Sequence, residues 1–79
     1  MNWGDIKGLM GAYSMEVQAE EPEQNKVRFS GRGTFIDVWR TRKGITLGVY
    51  NPEVKACYYR RNMSAEKIED ILLALPNND

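Results

Sequence analysis

The chain has 79 residues, 42% hydrophobic and 28% charged, the composition of a small folded protein and not of a disordered one. Its formal net charge of zero hides a +7 block at residues 26–61 between ends of −4 and −3. The chain holds no histidine and one cysteine, which excludes an intrachain disulfide, histidine-based catalysis and zinc-ligand spacing.

No apolar run approaches the ~20 residues of a bilayer span, and the N-terminus lacks the basic-then-apolar layout of a signal peptide. The expectation is one domain over residues 1–79, in a reducing, cytoplasmic compartment, without membrane attachment. So short a chain buries only about 60% of the surface that its unfolded form exposes. Small domains often gain stability by oligomerising, and a homodimer is as expected as a monomer.

In chain order, residues 1–11 form an N-terminal segment in which a short helix over 2–10 would align Trp3, Ile6 and Met10, at a cost from Gly4 and Gly8. Gly11 breaks that pattern. From Ala12 to Ala19 the period becomes two, with Tyr13, Met15, Val17 and Ala19 on one side, which predicts a half-buried strand. A helical stripe through positions 3, 6, 10, 13 and 17 competes with it. Residues 20–25 form a polar loop marked by Pro22.

Four more strands follow. Val27 and Phe29 share a face over 26–30, and Gly31-Arg32-Gly33 reverses the chain. Over 34–41, Ile36 and Val38 oppose Phe35, Asp37 and Trp39. After a turn at 42–44, Ile45, Leu47 and Val49 alternate with Thr46, Gly48 and Tyr50. Asn51-Pro52-Glu53-Val54 has type I turn chemistry, and 55–61 forms the last strand, its inward face open. The closing helix, 64–75, has Ser64 as N-cap, Met63 as a staple onto Ile68, and an apolar stripe of Ala65, Ile68, Ile71, Leu72 and Leu75. Pro76 ends it, and 76–79 is a tail. The expected fold is α+β: an antiparallel meander of four or five strands over 12–61, with the C-terminal amphipathic helix on one face.

In such a meander Lys26, Arg28, Arg40, Arg42, Lys43, Arg60 and Arg61 fall at or near one end, beside the N-terminus of the closing helix. Cations grouped next to main-chain donors suit phosphate. The bland alternative is solvated charge, or charge paired with Glu20, Glu21 and Glu23. If the aliphatic residues face the helix, Phe35, Trp39 and Tyr50 face away with Arg28 nearby, a platform for unpaired bases or a protein interface. Cover by the N-terminal segment or by a twin subunit is the stronger expectation for that patch.

No motif specifies a reaction. Cys57, mid-strand, is expected to be a small core residue. Tyr58, Tyr59, Arg60 and Arg61 could serve a ribonuclease toxin, but nothing positive favours one. The leading expectation is a non-catalytic binding module contacting a nucleic-acid backbone, with no cofactor or metal. The runner-up is a protein–protein adaptor or inhibitor, of the kind phages and mobile elements carry, using the aromatic sheet face.

Overall fold

In the computed structural model, which describes residues 1–53 and 55–76, the order is α1 (Trp3–Ala12), β1 (Glu16–Glu21), a 3-10 turn (Pro22–Gln24), β2 (Lys26–Gly31), β3 (Thr34–Thr41), β4 (Gly44–Asn51), β5 (Ala56–Met63) and α2 (Ala65–Ala74). The five strands form one antiparallel sheet in the order β1-β2-β3-β4-β5, and the fold is α+β. Val54, within the expected turn at 51–54, and 77–79 of the expected tail lie outside the described residues.

α1 forms despite Gly4 and Gly8 because its first turn is closed reciprocally. Asp5 N–H donates to Asn2 Oδ1 (2.8 Å), and Asn2 N–H donates to Asp5 Oδ2 (3.3 Å). It also outlasts the expected break at Gly11, running to Ala12 with Tyr13 as C-cap. Neither reading of 12–19 holds whole: Tyr13 ends the helix, Ser14 turns the chain at φ 66°, and β1 starts at Glu16. Within β1 a bulge at Gln18 puts Val17 opposite Phe29 but Ala19 opposite Arg28. That one extra residue breaks the alternation expected of Val17 and Ala19, and both are exposed.

The β2–β3 reversal places Arg32 (φ 52°) and Gly33 (φ 70°) both in the left-handed region, as a two-residue hairpin of type I′ requires. Gly31 cannot carry a side chain, since a Cβ there would run into the main-chain oxygen of Ser14. At the far end of the next hairpin, Asn51 Oδ1 accepts from Glu53 N–H (3.0 Å) and starts the turn.

Inward positions follow the sequence alternation. Val27, Phe29, Ile36, Val38, Ile45, Leu47 and Val49 join Met15 and the helix residues Ile6, Met10, Ile68 and Leu72 in one core. At α2, Ser64 accepts from Lys67 N–H (3.3 Å), and Ile71, Leu75 and Met63 pack at the core margin; Ala65 is exposed. Ile6 and Met10 sharing a core with Ile68 and Leu72 means that α1 lies on the same sheet face as α2. The N-terminal segment therefore does not cover the aromatic face. Cys57 is exposed and not a core residue, because the register places it beside Tyr50 on the outer face.

Candidate functional site

Two features share the surface opposite the helices: an aromatic sheet face and a basic cleft at its end. On the face, a two-residue hairpin at Arg32-Gly33 brings Arg28 opposite Asp37. Arg28 Nε and Nη2 donate to the two Asp37 oxygens at 2.7 and 3.0 Å, a bidentate pair. That hydrogen-bonded contact raises the Arg28 pKa above its ordinary value. Lys26 Nζ lies 2.9 Å from Glu21 and 3.7 Å from Asp37. Lys26 and Arg28 are therefore neutralised where they stand, and they do not join the cations at the rim.

Around this ion cluster stand two ring pairs. Phe35 and Tyr50 stack with centroids 6.4 Å apart, and Trp39 and Tyr59 lie at 6.1 Å and 44°. Arg28 sits over Phe35 (5.4 Å) and Lys26 over Trp39 (5.2 Å). Gly48 seats the second pair, since a Cβ there would come within 2.8 Å of Tyr59 Cε1 and 3.2 Å of Trp39 Cζ3. Tyr59 remains 61% exposed. Its phenol is shifted above the ordinary tyrosine value, chiefly by the neighbouring Cys57 thiol on the same face of β5.

At the end of the face, Lys43 N–H donates to Thr41 Oγ1 (3.2 Å), whose hydroxyl donates to Gly44 O (2.9 Å), and the β3–β4 turn is set by these bonds. This turn carries Arg42 and Lys43. Opposite it, β5 bulges between Arg60 and Met63, with Asn62 at φ 55°, and delivers Arg61. Arg42, Lys43, Arg61, Thr41, Thr46 and Asn62 line a shallow cleft of about 660 Å³. No carboxylate lines it, and none of its three cations makes an ion pair among the described residues.

The expected group of seven is thus divided. Arg42, Lys43 and Arg61 come together. Arg40 lies over Trp3 (5.8 Å), and Arg60 lies over Tyr58 (4.6 Å), itself packed at the core margin on the helix side. Of the expected acidic partners, Glu21 holds Lys26, while Glu20 holds Lys7 of α1. The first turn of α2 contains its own carboxylate, Glu66, beside the dipole's positive pole.

Thr46 and Asn62 are lining residues that the sequence reading missed, and Tyr59, weighed there only as a catalytic candidate, was not placed on the aromatic face. Adjacent tyrosines at 58 and 59 left the face of β5 undecided, and the bulge shifts the end of that strand. Counting outward from Arg32-Gly33 was a usable signal for the Arg28–Asp37 pair. No cluster of three or more His, Cys, Asp or Glu side chains suited to a metal ion occurs among the described residues. No helix among them is long and apolar enough to cross a membrane.

Comparison with protein-family models, curated proteins and solved structures finds no significant match for the chain.

Proposed function

We propose that this chain is a small non-catalytic module that contacts a nucleic-acid phosphate backbone through the cleft of Arg42, Lys43 and Arg61. The observation that carries the reading is the convergence of three cations from two elements on one cleft with no carboxylate in its lining. Guanidinium and ammonium groups beside hydroxyl and amide side chains are the donors that phosphate oxygens take. Contacts of this kind orient a backbone and carry no base specificity by themselves. A cytoplasmic setting accords with the lone unpaired cysteine.

Oligonucleotide binding measured against salt tests this. Three phosphate contacts predict a log–log slope of about −2 to −3. Arg42→Glu combined with Lys43→Glu should weaken binding to every sequence about equally. Failure to bind any oligonucleotide at low salt would remove the reading.

A second reading, a protein adaptor or inhibitor, draws on the open face, where Trp39, Tyr59 and Arg28 are of the types that dominate protein interfaces. In that case Trp39→Ala abolishes partner binding or self-association while oligonucleotide binding is unchanged.

A further inference from the structure

We infer that the nucleic acid taken by this cleft is single-stranded, and that its bases stack on the Trp39–Tyr59 pair. The inference rests on the phosphate reading above and names the kind of strand it implies. The two features are physically continuous. Thr46 lines the cleft and stands directly opposite Trp39 in the β3–β4 register, so the rings begin one cross-strand position from the cations.

The ring pair is seated and open at once. Gly48 lets both rings close over the strand backbone, and Tyr59 still exposes 61% of its surface. Both helices contribute to the core on the opposite face; among the described residues no helix or strand covers the rings, and Trp39, with Lys26 over it, stays half-buried. A duplex keeps its base faces stacked inside and offers such a platform nothing to stack. Neither helix is placed to enter a duplex groove, since both are packed against the other side of the sheet.

Charge fits the same occupant. Lys26 and Arg28 are balanced by Glu21 and Asp37, leaving the aromatic face close to neutral, while the uncompensated cations sit at its end. A single strand would lay phosphates along the cleft and turn bases onto the rings. Phe35, four residues from Trp39 on β3 and roughly 13 Å away at strand spacing, pairs with Tyr50 of β4 as a second stacking position.

The test uses a labelled single strand of about 12 nucleotides and the matching duplex, titrated by anisotropy against the full chain. A Trp3→Phe background lets Trp39 emission be read alone. The single strand should quench that emission and bind at least about fivefold tighter than the duplex; Trp39→Ala should cost at least about fivefold in single-strand affinity with the salt slope kept. Should Trp39→Ala not fold, Tyr59→Ala, at an exposed position, should show a loss in the same direction. Equal binding of strand and duplex, with ring variants silent and Arg42→Glu/Lys43→Glu still damaging, overturns the stacking inference and leaves the phosphate reading standing. Loss of a dimer in Trp39→Ala with unaltered oligonucleotide binding also overturns it, assigning the face to a second copy. No binding at all removes both.

Discussion

The guanidinium of Arg32, in the β2–β3 turn, donates from Nη1 to the main-chain carbonyl of Leu72 in the last turn of α2, at 2.8 Å. Its other nitrogens reach Leu75 O (2.7 Å) and Pro76 O (3.3 Å). One side chain thus satisfies three carbonyls at a helix C-terminus that has no basic residue of its own in the last turn, and it places positive charge at the negative pole. A hairpin and a helix 40 residues apart are tied together there, and the tie holds Arg32 at a positive φ that an arginine rarely adopts.

Removing that tie should destabilise the fold. Arg32→Ala is expected to cost about 2–3 kcal/mol in urea unfolding, from the lost charged hydrogen bonds. Arg32→Gly loses the same bonds but relaxes the left-handed backbone, and should be about 1 kcal/mol less damaging. An alanine variant as stable as the parent would show that the contact contributes nothing.

Two glycines should behave oppositely. Gly31→Ala drives a methyl group into the Ser14 backbone, which cannot swing away, and should lose about 3 kcal/mol or fail to fold. Gly48→Ala meets the Tyr59 ring, which is exposed and can rotate, so the thermal midpoint should move by only a few degrees. The Trp39–Tyr59 pair should nevertheless separate, with a change in the near-UV circular dichroism. Comparable thermal losses for both variants would contradict this contrast.

Asp37→Asn unmasks Arg28 and part of Lys26 on the aromatic face. Because Arg28 is 41% exposed, water screens the pair, and stability should fall by only about 1 kcal/mol. Oligonucleotide affinity should rise and its salt dependence steepen, since a carboxylate leaves the path of the strand. Weaker binding on removing that negative charge would count against the proposed surface.

α1 and α2 are joined by Tyr13, whose hydroxyl donates to Glu69 Oε2 at 2.8 Å. The hydrogen bond to this carboxylate raises the Tyr13 pKa above the ordinary value of about 10. A raised folded-state pKa means that this stabilisation is complete below the unfolded value and is lost as pH rises through the folded one. The stability advantage of the parent chain over Tyr13→Phe should therefore be flat up to about pH 10 and shrink above it. Thermal unfolding of both proteins across that range checks the sign.

Much of the fold was legible because its signals are local. Alternation in Ile36, Val38, Ile45, Leu47 and Val49 assigned the buried face, the same pattern turned Phe35, Trp39 and Tyr50 outward, and Ser64 with Ile68 and Leu72 marked the last helix. The site was legible only in part. Its residue types and approximate end could be read, but its membership could not. Whether a cation is free depends on what stands beside it across a strand: Asp37 decides that for Arg28, and Glu21 together with Asp37 for Lys26.

The periodicity and turn chemistry of this chain by themselves determined an antiparallel meander of four or five strands with an amphipathic closing helix, because each signal acts within a few residues. Tertiary structure alone put α1 on the same side as α2, bulged β1 at Gln18 and β5 near Asn62, and sorted seven cations into one cleft and several private contacts. Those outcomes follow from packing and charge between segments far apart in sequence, where a displacement of one register position moves a side chain to the other face.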